Sequence, residues 1–390
     1  MDVRKCLETQ EKELDVRKYL EIQEKGQEAE RSRRNRAMET VSRDKRMVHY
    51  DLLRIVAAFS VVMLHSAGQK WYVLPVTDRQ WQIANAWDAL FRFGVPIFVM
   101  ISGAIFLNKD ISIKRLYFHN IFRLLAIYWI WSGLYGLYDC RKRGLGAAEW
   151  KEVIKELLGG RYHLWFLPMI VAVYMLVPIL RSWIKGAEKR NLQYFLLLFF
   201  FLKIGMFTMS ALSRSYIVRY MSDLTNVMEF GMTCSYIGYF VWGYYITHYG
   251  IPEKWHRAIY AGVIPAALLN LFVDRYLSLK AGEPRGEIYD SYGVFTFIIV
   301  TALFLFFTNV MSKVRYSRLA AGIIRELSEA TLGVYVMHVG LLEVLEERGI
   351  DTMLVPNMIG IPLLALGCYA VCTAAAVCLR RIPVIGRYLC

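Results

Sequence analysis

The sequence predicts an all-α, polytopic membrane protein with about ten transmembrane helices, and three observations carry that reading. Apolar residues come in blocks of about 20, the length that crosses a bilayer as a helix. Hydrophobic residues make up 56% of the 390 and mean hydropathy is +0.33, too apolar for a soluble chain of this size. Many of the 25 Tyr and 10 Trp lie at block edges, where amphipathic rings favour the headgroup zone.

Residues 1–47 read as a separate, charged, cytoplasmic region. Asp2-Val-Arg-Lys-Cys-Leu-Glu-Thr-Gln-Glu-Lys12 recurs as Asp15-Val-Arg-Lys-Tyr-Leu-Glu-Ile-Gln-Glu-Lys25. Two copies cannot build a solenoid core, so a solvated helix or a disordered tail is expected. Arg31, Arg33, Arg34, Arg36, Arg43, Lys45 and Arg46 then form a basic run before the first apolar block. That run predicts a cytoplasmic N-terminus held against anionic membrane lipid. The net charge of +14 points the same way, to lipid and topology and not to nucleic acid. No cleavable signal peptide is expected, because the N-terminus is long and charged before any apolar run.

A transmembrane domain then occupies residues 48–380. The spans predicted within it are 50–68, 87–107, 117–138, 163–182, 193–212, 228–247, 257–274, 291–311, 329–345 and 358–379. An even count returns the basic tail, 381–390, to the cytoplasm of a cell-membrane protein. The charges agree in most loops: Lys109, Lys114 and Arg115, then Lys185, Lys189 and Arg190, then Lys313, Arg315, Arg318 and Arg325 fall inside. Acidic Glu346, Glu347 and Asp351 fall outside. Residues 139–162 run against the bias with Arg141, Lys142, Arg143, Lys151, Lys155 and Arg161. Within them Ala147–Leu158 is amphipathic, a pattern that suits a helix lying on the surface. The seven Cys show neither a Cys-x-x-Cys pair nor metal-ligand spacing, so no metal site is expected.

Candidate chemistry starts in the first span. Arg54 and His65 are eleven residues apart, roughly three turns and roughly 16 Å, so they share a helix face. An Arg in a membrane helix costs about 2.5–3.5 kcal/mol on insertion scales, and beside a titratable imidazole it suggests a polar path. The guanidinium suits a phosphate-bearing ligand, and the imidazole suits general-base work on a hydroxyl. The plainer alternative is that Arg54 snorkels to the interface and His65 caps the far end.

Four further groups stand out. In Phe93–Gly103, Pro96 frees backbone carbonyls, and Ser102-Gly103 lets a helix or ligand approach closely; a packing kink is the simpler reading. Lys114, Arg115, His119 and Arg123 gather on the predicted inner side, as a phosphate or CoA cluster or as ordinary flanking charge. His163 and Trp165, with Arg161, open the fourth span and suit sugar binding or an aromatic anchor. His338 sits near mid-span on a face made polar by Thr331 and Tyr335, with Lys203 and Glu229 as weaker buried-charge candidates.

Together, Arg54-x10-His65, Phe93–Gly103, His163-Leu-Trp-Phe-Leu167, Ile237-Gly-Tyr-Phe-Val-Trp-Gly243 and Leu332-Gly-Val-Tyr-Val-Met-His338 resemble the acyltransferase-3 family of integral membrane O-acyltransferases. The resemblance covers about residues 48–380. It implies transfer of an acyl group, usually acetyl from acetyl-CoA, to a hydroxyl of a surface polysaccharide or lipid-linked sugar. It implies that Arg54 and His65 are the catalytic pair, and that acyl-CoA is a donor substrate with no cofactor held. The family's paired arginines at the third span map less well: Arg123 matches the second, but Asn120 holds the first place. Arg115 or His119 is then expected to complete the CoA site. No hydrolase-like domain follows the last span, so direct transfer is expected. Similar membrane domains occur fused to a racemase, where amino-acid transport is proposed. A transporter or exporter of a small polar solute is therefore the alternative, which inverted repeats would favour. None is visible.

Overall fold

The computed structural model describes residues 47–142, 144, 150–213, 215–227, 230–383 and 386–390. The duplicated segment, the basic run and Glu229 lie outside them. Residues 1–47 and 48–390 form separate units, and the second carries the architecture.

The second unit is helical throughout, with no strand among its described residues. In order come α1 (Val48–Gly68), α2 (Arg79–Phe91), α3 (Gly94–Phe106), α4 (Phe122–Lys142), α5 (Trp150–Gly159), α6 (Phe166–Met175) and α7 (Val177–Gly186). They are followed by α8 (Lys189–Leu198), α9 (Met206–Leu212), α10 (Tyr216–Val227), α11 (Phe230–Tyr249), α12 (Glu253–Ala261) and α13 (Val263–Ala281). The last are α14 (Val294–Asn309), α15 (Arg318–Glu347), α16 (Asn357–Arg380) and α17 (Gly386–Leu389). π-helical turns at Leu116–Ile121 and Phe199–Gly205 join otherwise continuous helix on either side.

Among the described residues, seven helices are long and apolar enough to cross a membrane: Val48–Gly68, Arg79–Phe106, Lys189–Leu212, Glu253–Ala281, Val294–Lys313, Arg318–Glu347 and Asn357–Arg380. The pair Leu157–Met175 and Val177–Gly186, bent by 44°, makes an eighth if it is one span. The expectation of about ten also included α4 and α11. These are helices of 21 and 20 residues, but their many Tyr, Trp, Gly and Ser positions leave them less apolar. Seven, or eight with the bent pair, is the number that length and composition support.

Pro96 occupies the first turn of α3, where a missing N–H is tolerated, so the break falls at Arg92–Phe93 and not within the span. Gly103 and Gly243 set the closest helix pair, α3 against α11. A Cβ on Gly103 would overlap the Phe240 backbone, and one on Gly243 the Met100 backbone. Small residues at such points let two backbones approach in place of side chains. The long α15 lies against both α1 and α16, and α5 lies along α4, where the Tyr128 hydroxyl donates to the Leu158 carbonyl at 3.2 Å.

Candidate functional site

Helix α1 has an acid, Asp51, in its first turn, favourable to its dipole, and an imidazole, His65, in its last. Its last turn brings His65 to the start of the segment that becomes α6 and to the buried face of α15. There the three imidazoles meet. Ring centroids lie 5.0 Å apart for His65–His338, 5.4 Å for His163–His338 and 6.3 Å for His65–His163. Among the described residues no group of His, Cys, Asp or Glu is arranged to hold a metal ion. Tyr162 lies beside the trio, 5.8 Å from His65.

Hydrogen bonds assign the His338 tautomer. Its Nδ1 lies 2.7 Å from the Tyr335 carbonyl and 3.2 Å from that of Val334, so Nδ1 carries the proton and donates. Nε2 is then a lone pair, buried and without a hydrogen-bond partner. In this form Nε2 can accept a hydrogen bond. His338 is also further along its helix than the sequence suggested. Helix α15 starts at Arg318, which leaves His338 nine residues from the C-terminal end.

Several groups hold the trio in place. The Tyr335 hydroxyl donates to the His163 carbonyl. The Tyr135 hydroxyl donates to the Val336 carbonyl at 2.8 Å and accepts from the Gly340 amide at 3.0 Å, tying α4 to α15. Arg161 bonds both oxygens of Glu343 at 2.7 Å and also pairs with Asp139, so one guanidinium joins three elements beside His163.

The sequence reading missed a second polar layer next to the histidines. Arg92 clamps Asp88 with two hydrogen bonds of 2.7 and 2.6 Å, lies 5.1 Å over the Tyr289 ring, and is within electrostatic reach of His65. The Tyr289 hydroxyl donates to Asn85 Oδ1 at 3.0 Å and reaches Asp88 at 3.3 Å. Asp290, in the loop 282–293, is held above the usual carboxylate range by burial. The Tyr292 amide, Arg92 and Lys203 pull it back down. The available signal was an acid and a base at i and i+4 within an otherwise apolar block.

Arg54 lies at the opposite end of α1. It donates to Asp51 at 3.0 Å, and Asp51 accepts from the Ser328 hydroxyl at 2.9 Å. Arg54 is also within electrostatic reach of Tyr174, whose hydroxyl is 3.1 Å from Ser102 Oγ. The sequence-predicted Ser102 therefore does belong to the arginine's surroundings.

The remaining predicted residues sit elsewhere. Lys114, Arg115 and His119 are exposed, on or beside the first π-helical turn. Arg123 is half-buried and donates to the Cys390 carbonyl, beside Arg380 and Arg381 in a cavity of about 350 Å³. Trp165 is 45% exposed and faces Tyr236, with ring centroids 5.8 Å apart, and not the imidazoles. The structure thus joins His65, His163 and His338 into one cluster and Arg54 with Ser102 into another, at the two ends of α1.

Among known proteins, the family model Acyl_transf_3, described as an acyltransferase domain, matches residues 48–379. No curated protein and no solved structure matches the chain.

Proposed function

The chain belongs to the acyltransferase-3 family, and from that premise we propose that it is an O-acyltransferase. In this reading it moves an acyl group, most simply acetyl from acetyl-CoA, to a hydroxyl of a surface polysaccharide or lipid-linked sugar. The observation that carries the reading is the placement of a guanidinium and an imidazole cluster at the two ends of one helix. The separation, roughly 16 Å, suits a donor whose phosphates are held at one end and whose thioester reacts at the other.

Arg54 takes the phosphate role, since its planar fork binds phosphate through two hydrogen bonds. Lys114, Arg115, His119 and Arg123 form a basic approach for the CoA nucleotide. His65 takes the proton from the acceptor hydroxyl as its oxygen attacks the thioester carbonyl. The new C–O bond forms, the C–S bond breaks, and the imidazolium returns its proton to the departing CoA thiolate. The bare Nε2 of His338 stands 5.0 Å away ring to ring, placed to hold His65 in orientation through the hydrogen bond that the acceptor or a water completes. The nearby Arg92 cation opposes the positive charge developing at His65, so the imidazolium is short-lived and returns its proton readily.

The test is transfer itself. Purified protein in nanodiscs, given radiolabelled acetyl-CoA and a crude surface-glycan fraction, is expected to label the glycan and release CoA in equal amounts. Absence of donor turnover, together with solute flux in proteoliposomes lacking any donor, would favour transport instead.

A further inference from the structure

A cavity of about 630 Å³ lies at the His65 end of the protein, between the second π-helical turn, α9, α10 and the end of α13. Its lining includes Lys203, Phe207 and Ala211 from one helical segment, Lys280 from α13, and Arg285 and Glu287 from the loop that follows. It is thus part apolar and part charged, with the serine hydroxyls of Ser210 and Ser222 at its wall. Ala211 packs into the same cluster as Trp71, Val76 and Tyr289, which places the cavity at the same end as the 69–78 loop that follows His65.

Side chains connect it to the imidazoles. Lys203 Nζ stands 4.4 Å from the centre of the Tyr292 ring. Tyr292 meets Tyr236 at 5.2 Å, and Tyr236 meets Trp165 at 5.8 Å, two residues after His163. On a second route, Asp290 is within electrostatic reach of both Lys203 and Arg92, and Arg92 of His65. Two chains of aromatic and charged side chains therefore run from the cavity toward the histidine cluster.

The charges are not all committed internally. Arg285 is held by Glu283 and Glu287 at 3.3 and 3.1 Å. Lys203 faces Asp290 and the Tyr292 ring. Lys280 is exposed, 5.9 Å from the Tyr276 ring centre, and forms no ion pair among the described residues. A cavity with hydroxyls, the aromatic ring of Phe207 and lysines from two different elements suits a sugar unit that bears a negative group. Such a ligand needs hydrogen bonding, a face to stack on, and a cation for its charge.

We propose that this cavity is an acceptor subsite that holds an anionic sugar unit, carboxylate- or phosphate-bearing, of an extended acceptor. The proposal rests on the acyltransferase reading and adds the acceptor's class. The subsite holds a unit remote from the reacting hydroxyl, which reaches the histidines past Trp165 and Tyr236.

Binding without donor tests it. Saturation-transfer NMR on the full chain in nanodiscs would use glucuronic acid, N-acetylglucosamine 1-phosphate and uncharged N-acetylglucosamine as probes. At least one anionic probe is expected to bind roughly tenfold more tightly than the neutral sugar, as a lost charge-assisted hydrogen bond implies. Lys280→Gln is expected to remove most of that preference and Lys280→Arg to keep it; Lys280 is exposed, so both variants fold. Preference for glucuronic acid alone assigns a carboxylate, and for the sugar phosphate alone a phosphate. Equal binding of charged and neutral probes, or a preference unchanged in Lys280→Gln with Lys203→Gln, overturns the proposal. No donor takes part, so a failure of acyl transfer leaves this result standing. Transfer to neutral and anionic acceptors alike would remove the subsite and leave the transferase intact.

Discussion

Replacing Gly103 by Ala should separate the two helices on which the arginine end of the site depends. A Cβ at this position falls against the Phe240 carbonyl, a backbone atom that cannot swing aside as a side-chain tip can. Ordinary contact begins at 3.4 Å, and real Cβ atoms essentially never come under 3.0 Å. Helices α3 and α11 must therefore part by roughly an ångström or more, which for a tightly packed contact costs about 1–3 kcal/mol. The neighbouring Ser102 moves with the backbone and its 3.1 Å contact with Tyr174 lengthens. Gly367 is the matched control, a helical glycine with nothing within 4 Å of a Cβ. Gly367→Ala should be neutral or slightly stabilising, since Ala exceeds Gly by about 1 kcal/mol in a helix interior. Apparent unfolding temperatures in one detergent, read by thiol-reactive dye or by loss of monodisperse protein, compare the two. Gly103→Ala no less stable than Gly367→Ala would refute the close-packing argument.

Three further outcomes are expected. Arg92→Ala strands Asp88, only 2% exposed, and should cost about 2–3 kcal/mol because Arg92 itself is partly solvated; a double cycle with Asp88→Asn should show about 1–3 kcal/mol of coupling, and additivity would contradict the pairing. Lys70 is held above its ordinary 10.5 by its hydrogen bond to Glu346, with Asp351 contributing further. A raised lysine stabilises fully below its unfolded value and loses that as pH rises through the folded value, so the small stability gap between wild type and Lys70→Gln should be flat from pH 6 to 9 and close only above roughly pH 10.5. On the donor side, Arg54→Lys keeps charge but loses the planar fork and should weaken acetyl-CoA binding by calorimetry; unchanged affinity in Arg54→Ala with Arg123→Ala would remove both from the donor site.

Much of this was legible in the sequence because membrane solvent makes local patterns strict. Backbone groups in lipid must bond internally, so each apolar block had to become a helix, and helix dominates the described residues of every predicted block. Which blocks are apolar enough to count as spans was less legible. Tyr, Trp and Ser in α4 and α11 serve buried contacts such as Tyr135 with Val336, and side chains that bury against protein need not be apolar toward lipid. Arg54, His65, His163 and His338 were each visible as costly residues in apolar surroundings. Their division between two ends was only half visible, because the i, i+11 spacing places Arg54 and His65, but the approach of His163 and His338 is long-range packing. The cations around the start of α4 show the opposite case. Lys114, Arg115 and His119 share a stretch of sequence, yet the π-helical turn leaves them on the surface, and Arg123 is turned toward the segment containing Cys390. Asp88 and Arg92 are hard to see in the sequence because the uncharged apolar run Phe93–Leu107 keeps the average of their block apolar.

The most direct measurement of the central claim is a single-turnover assay of acetyl transfer by His65→Ala beside wild type, with acetyl-CoA affinity and monodispersity measured on the same samples. A positioned general base contributes about 10²–10⁴-fold in rate. Transfer is expected to fall by about that factor while CoA affinity stays within about twofold, and His65→Gln, which accepts a hydrogen bond but no proton, should be no better. Near wild-type transfer in purified His65→Ala would contradict the assignment and remove the imidazole from the reaction.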